Sequence, residues 1–304
     1  RHHYEMEYTN ADQAEWSAVL RGSAHVSHGT QDEMMSEFAL EDSDTPGATY
    51  MGRESADEAL QGAVLEVVAE RMTLLGTKGY PFKLENNSLV LAAEDDHPYL
   101  ALLAICSLTS LSAKPFNQAP VGFEYLSLLA ARAYLGPNAQ GWRFGWPSAN
   151  QSNLLIQDAA ATLKLRAGSH QGEWDWNPSP ILPASPTTKS LKDAGMDIVA
   201  WVPWADRGPA QLHLVGQCAC GADWKFKTLE LHLPLLAQWM RLPNPPPVRA
   251  LFTPRHTPLP TISYEAPQAG LMFDRIRMVK LLLSDSKITR TAKRFTRKIV
   301  TISR

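Results

Sequence analysis

Asp197 and Gln217 are the two side chains whose types and spacing suggest joint chemistry. Antiparallel neighbours carry residue numbers that sum to a constant, here 414, and the midpoint falls at Arg207 within the turn-like Asp206-Arg207-Gly208-Pro209. A hairpin folded there makes Asp197 and Gln217 near partners. Opposed residues in such a pair lie about 5 Å apart at Cβ, within range for a carboxylate and an amide carbonyl to ligate one hard cation. The flanking residues are apolar (Ile198, Val199, Leu212, Leu214 and Val215), so a charged Asp197 is costly unless it is paired or holds a metal. The plain alternative is a polar pair at a strand end.

Three features add to the pair. Gly195 stands two residues before the acid and permits close backbone approach at the strand start. Lys227, with Lys225 second, leaves the Gln217 strand and can swing back to the same end. Upstream, Glu124 lies on an apolar helix face with Leu128, Ala131 and Leu135, where a lone carboxylate needs a partner.

Other residues have weaker patterns. Cys218 and Cys220 have no companion Cys or His pair nearby and read as buried apolar cysteines. His213 shares a strand face with Gln217 and offers a supporting role beside it or, more commonly, a satisfied core or surface histidine. Arg255-His256 follows a short strand and offers a phosphate contact or a surface loop, and Arg143-Phe144-Gly145-Trp146 a phosphate-facing loop or a helix-to-helix turn. Trp142, Trp146, Trp201, Trp204 and Trp224 flank the region, with core packing as the simpler role. Lys287, Arg290, Lys293, Arg294, Arg297 and Lys298 form a basic helix face suited to tracking phosphates or to binding a partner.

The elements that must position these residues follow from periodicity and breakers. Residues 1–54 are acid-rich and read as an irregular arm or a linker-borne helix. Ser55 and Glu58 have capping-box spacing and open an amphipathic helix to about Leu75. Tyr80 to Leu91 suggests two strands around Asn86-Asn87. His97-Pro98 opens a helix to about Leu111, Gly122 to Leu135 is a buried helix stopped by Gly136-Pro137, and residues 152–165 suggest another. Asp197 to Val202, Gln211 to Ala219 and Val248 to Thr253 are strand-like, Thr228 to Leu242 is helical in pattern, and residues 168–190 read as a long loop. Leu271 to about Ile299 reads as one amphipathic helix. Three regions result: a mostly helical part over 1–115 with a short hairpin, an α/β core over 116–270, and a basic C-terminal helix over 271–304.

Composition bounds the function. The 304 residues, 44% hydrophobic and 20% charged, describe a globular chain with a full core. No apolar run approaches the roughly 20 residues of a membrane span, the first residues lack a secretory pattern, and three cysteines make no disulfide framework. The expectation is therefore a cytoplasmic protein with no membrane partner. Net charge is −2, but residues 271–304 hold ten Lys/Arg against two Asp, an acceptable footprint for phosphate contact. Phosphate-loop, serine-hydrolase and zinc signatures are missing, which leaves ATP hydrolysis and those chemistries without support.

Asp197 at the start of one core strand, Gln217 in the next, a nearby lysine and Glu124 from a preceding helix resemble the PD-(D/E)XK, or restriction-endonuclease-like, nuclease core over about 120–256. Gly195-x-Asp197 followed by Gln217 is similar to the Mrr-like variants, in which glutamine replaces glutamate. The family's lysine position is Ala219 here, so its role passes to Lys227. The resemblance implies a small mixed sheet flanked by helices and a Mg²⁺- or Mn²⁺-dependent DNA endonuclease serving restriction or anti-phage defence. It also implies Asp197, Gln217 and Glu124 as metal ligands, Lys227 as the catalytic lysine, and DNA contacts from Lys225, Arg255, His256, Arg290, Lys293, Arg294, Arg297 and Lys298. A separate ATPase or helicase subunit is the expected partner, and a homo-oligomer stays open. The rival is an inactive module that keeps the fold to bind nucleic acid or to scaffold a complex, and a third reading is an RNA-directed nuclease.

Overall fold

A computed structural model describes residues 2–26, 46–108, 111, 113–144, 156–167, 172–180 and 195–304, with only the backbone of 2–5 and 46–58 described. Trp146, Lys192, Asp193 and much of the 168–190 loop lie outside the described residues.

The N-terminal region is built on helices. α1 (His2–Arg21) is a helix, the second of the two alternatives read for residues 1–54, and α2 (Pro46–Gly79) begins upstream of Ser55, which therefore lies inside the helix and does not cap it. Strand β1 (Ser23–His25) joins the hairpin of β2 (Phe82–Glu85) and β3 (Ser88–Leu91) in the order β1-β3-β2. Asn86 and Asn87 supply the left-handed turn, with φ of 49° and 60°. α3 (Pro98–Ser107) follows, fully apolar and buried from Pro98 to Ile105.

α4 (Ala119–Leu135) leads into a five-stranded mixed sheet of order β4-β5-β6-β7-β8. β4 (Gln140–Arg143), β5 (Ile198–Val202) and β6 (Leu212–Cys218) run antiparallel, and β7 (Val248–Phe252) and β8 (Leu271–Phe273) extend the sheet parallel to β6. β4 arises where the sequence suggested a loop or helix turn. Parallel strands need a crossover. Between β6 and β7 that crossover is a 3₁₀ segment Trp224–Leu229 and the single turn α6 (Leu233–Leu236), in place of one helix over Thr228 to Leu242. α7 (Leu259–Ala269) links β7 to β8. The C-terminal segment is a strand and two helices, α8 (Arg275–Leu282) and α9 (Ser286–Ser303), because Asp274 and Asp285 each cap a new helix start by accepting backbone N–H groups.

Both faces of the sheet are covered. Ile198, Ala200, Leu214, Ala250 and Phe252 pack with α3, α4, α8 and α9, while Val199, Trp201 and Val215 pack with Ile156 and Leu163 of α5 (Ile156–Ala167) and with Leu236, Trp239 and Met240. A Cβ on Gly216 would lie 2.7 Å from Phe252 and 2.8 Å from Ile198, so this position requires glycine for close packing. Among the described residues no helix is long and apolar enough to cross a membrane.

A buried ionic network joins the helical region to the sheet. Arg275, wholly buried at the start of α8, donates to both Asp12 oxygens at 2.7 Å and to the Pro254 carbonyl at 2.8 Å. Arg71 of α2, also wholly buried, lies 2.8 Å from Asp12 and 2.9 Å from Glu15. Tyr80 and Tyr99 donate to the two Glu15 oxygens at 2.6 and 2.7 Å. Burial pushes the Asp12 carboxyl up, but Arg275 and Arg71 outweigh it and hold the group at about 2.

His256, read from the sequence as a phosphate contact or part of a surface loop, is buried in this network. Its ring packs edge-on against Tyr8 at 4.8 Å and its Nδ1 accepts from Arg71 Nε at 3.3 Å. Burial, and then the Arg71 and Arg275 charges, lower its pKa from 6.5 to about 2. Between those values the unfolded chain binds a proton that the folded chain refuses, so stability falls as pH drops below about 6.5. His256→Gln keeps an acceptor for Arg71 and removes the titration. Its denaturation free energy should lose up to about 1.4 kcal/mol less per pH unit than wild type from pH 6 to 4; parallel curves would refute the account.

Candidate functional site

The site is built at the end of the sheet where β5 begins and β6, β7 and β8 finish. The β5–β6 register pairs Ile198 with Gly216 and Val199 with Val215, the pairing that a hairpin about Arg207 requires. Turn chemistry explains why: Arg207 takes φ of 57°, and Asp206 Oδ1 accepts the Gly208 N–H at 2.9 Å. One step beyond the strand, the Asp197 N–H donates to the Gly216 carbonyl at 3.0 Å. Asp197 Oδ2 accepts the Cys218 N–H at 2.6 Å. Asp197 thus grips the chain on both sides of Gln217.

Gln217 is buried, and its amide Nε2 donates to Glu230 Oε2 at 2.5 Å. Lys227 Nζ donates to both Glu230 oxygens at 2.9 Å. Lys227 therefore reaches the Gln217 end, through a carboxylate that sequence reasoning missed. Its one legible signal was the Lys227/Glu230 spacing of a local ion pair. Gly195, with φ of 78°, lets the chain before Asp197 lie against Glu230: a Cβ there would sit 3.4 Å from the Glu230 carbonyl and the Leu231 nitrogen.

Glu124 reaches the same end from α4. It is buried, and it is ion-paired with Arg143 of β4, whose guanidinium lies over the Tyr125 ring with 4.9 Å from Cζ to the centroid. Burial alone would lower the Arg143 pKa, but the Glu124 carboxylate outweighs it and raises it. Arg143 is thus a strand residue holding Glu124, where the sequence had suggested a phosphate-facing loop or a helix-to-helix turn. Cys218 lies within the field of both acids: burial, then Asp197 and Glu124, push its thiol well up, so it is an uncharged packing residue.

The remaining expected residues divide. Lys225 sits near the Trp224 ring, at 5.9 Å from its centroid. Arg255 is half-buried beside the ionic network, its backbone carbonyl accepting from the Arg275 N–H. On α9, Lys293 and Arg297 pair with Asp96, while Arg290, Arg294 and Lys298 are exposed. His213 is satisfied internally, accepting from Trp174 Nε1 at 3.3 Å with its Nδ1 at 3.0 Å from the Gln211 carbonyl. Trp201 and Trp224 are buried, and Trp204 is exposed.

Among the described residues no three His, Cys, Asp or Glu side chains converge as a metal cluster. The donors present, one carboxylate and one amide oxygen, are those that could hold a hard cation of low protein-ligand demand. Mg²⁺ commonly takes one or two protein oxygens and completes its shell with water and substrate phosphate. Asp197 provides a carboxylate. With Nε2 of Gln217 held by Glu230, the amide oxygen is the end left to ligate.

No protein-family model, curated protein or solved structure matches the chain.

The Glu124–Arg143 pair is open to direct test. Both side chains are over 90% buried, and removing one partner of such a pair costs about 3–5 kcal/mol. Arg143→Met should lose that much in urea denaturation, and adding Glu124→Gln should recover part of it. A single variant as stable as wild type would refute the pairing.

Proposed function

We propose that the chain is a divalent-metal-dependent nuclease that hydrolyses DNA phosphodiester bonds at the Asp197, Gln217 and Lys227 end of the sheet. The observation that carries this reading is the double grip of Asp197 on the residues either side of Gln217. The order of elements supports it: a helix bearing Glu124, a strand opening at Asp197, the next strand bearing Gln217, and a crossover that returns Lys227. The carboxyl ends of parallel strands, where β6, β7 and β8 finish, are also where open α/β sheets bind ligands.

Mg²⁺ or Mn²⁺ at this place would polarise a phosphoryl oxygen and lower the pKa of the attacking water. Asp197 and the Gln217 amide oxygen would hold the cation. The Lys227 ammonium would orient the water or offset charge on the phosphorane oxygens. Glu124 is committed to Arg143, so its part is to fix that arginine near the site. A catalytically silent nucleic-acid-binding module is the second reading, favoured by the Arg143 pairing of Glu124 and by Ala219 at the position where the resembled core carries lysine.

Incubation with plasmid, single-stranded DNA and RNA, each with Mg²⁺, Mn²⁺ or chelator, separates the two. Metal-dependent cleavage of DNA that falls by roughly 10²-fold or more in a folded Asp197→Ala variant supports the nuclease. Cleavage at the wild-type rate by that variant rejects the site.

The exposed cations of α9 give a second test. Among the described residues Arg290, Arg294 and Lys298 are exposed and have no ion-pair partner, so changing all three to Gln should leave the fold intact. If they neutralise phosphates, DNA binding weakens and the slope of log affinity against log salt drops by about 0.9 for each phosphate no longer neutralised. Unchanged affinity and slope would assign this face to a protein partner.

A further inference from the structure

Resting on the nuclease reading, we infer that Glu230 is a positioning residue that orients the Gln217 amide and so lets an amide serve where a carboxylate would otherwise stand. An amide offers an oxygen at one corner and an NH₂ at the other, nearly equal in size. Only the oxygen can ligate a cation, so an amide metal ligand needs something to fix which corner points where. Glu230 does this by taking the Gln217 Nε2 at 2.5 Å.

Glu230 is itself held from several sides. Its N–H closes the 3₁₀ segment by donating to the Lys227 carbonyl at 3.2 Å, and its backbone lies against Gly195. The next residue, Leu231, is buried, and its carbonyl accepts from Arg249 at 3.2 Å. Lys227 balances the Glu230 charge at 2.9 Å. The arrangement also explains the residue type at 217. A carboxylate there would face the Glu230 carboxylate at hydrogen-bond distance, and two acids so close cannot both ionise without a proton or a cation between them.

A positioning role makes a prediction that direct ligation does not: Glu230 matters only while position 217 is an amide, because a carboxylate has oxygen at both corners. The test is a cycle of four full-length proteins, Gln217 or Gln217→Glu combined with Glu230 or Glu230→Ala. All four carry Lys227→Met, so that an unpaired ammonium does not enter the comparison. Mn²⁺ affinity is read by calorimetry, thermal melting without metal checks the fold, and Asp197→Ala serves as the reference. The Lys227 and Glu230 side chains are 38% and 47% exposed, so their ion pair adds little to melting, whereas Glu230→Ala also leaves the buried Gln217 NH₂ without its acceptor and should lower the melting temperature modestly. Glu230→Ala should weaken Mn²⁺ binding by about 10- to 100-fold beside Gln217, and beside Gln217→Glu it should leave binding unchanged or strengthen it, because it removes the acid that would share a proton with the new carboxylate. Equal losses in both backgrounds would mean direct ligation and overturn the inference, as would no loss beside Gln217 while Asp197→Ala abolishes binding. If the wild-type protein binds no Mn²⁺, the nuclease reading fails and this inference fails with it.

Discussion

Two arginines buried without access to water decide how this chain assembles. Arg71 and Arg275 come from helices about 200 residues apart in sequence, and both face Asp12 and Glu15 on α1. An unpaired charge at such depth costs several kcal/mol, whereas the assembled pairs return little net stability over well-packed apolar residues. The network therefore acts as a specification more than as a store of energy. Alternative packings of α1 against α2 and α8 would leave a carboxylate or a guanidinium unmatched. Arg275 also ties the network to the loop after β7 through the Pro254 carbonyl, so the N-terminal helices are located relative to the sheet end.

That sheet end is where Asp197 and Gln217 both stand, and its geometry has a second source in the hairpin. The β5–β6 pairing was legible because turn and strand signals agreed: Asp206-Arg207-Gly208-Pro209 demanded a turn, and the apolar runs on either side fixed the register. α4 and its glycine stop were legible for a similar reason, a long stretch apolar nearly all round and ended by Gly136-Pro137. The β2–β3 hairpin followed from two asparagines that tolerate positive φ.

What was not legible depended on contacts distant in sequence. α1 stood only as one of two alternatives because its buried face mixes Ala11, Ala14 and Ala18 with Asp12 and Glu15, so no apolar stripe stands out until Arg71 and Arg275 are in place. β4 is four residues long beside glycine, tryptophan and proline, too short for a period-two signal. The single helix read from Leu271 to Ile299 concealed β8, since three apolar residues fit either period. Glu230 looked like half of a local pair with Lys227. Its bond with Gln217 exists only because the 3₁₀ segment turns the chain back on β6.

The basic helix and the candidate site are joined by packing, which bears on how binding and chemistry would be coupled. Phe295 of α9 stacks on Tyr125 at 4.4 Å, Arg143 lies over that same tyrosine, and its guanidinium also holds Glu124. Ile299 approaches Gly122 so closely that a Cβ there would lie 2.8 Å from it. α9 therefore cannot shift along α4 without disturbing the residues beside Glu124. A polyanion drawn to Arg290, Arg294 and Lys298 would rest on a helix whose buried face is fixed to the site's own helix. Rigid contacts of this kind, and not a flexible basic tail, set the distance between the basic face and the end of the sheet where Asp197 stands.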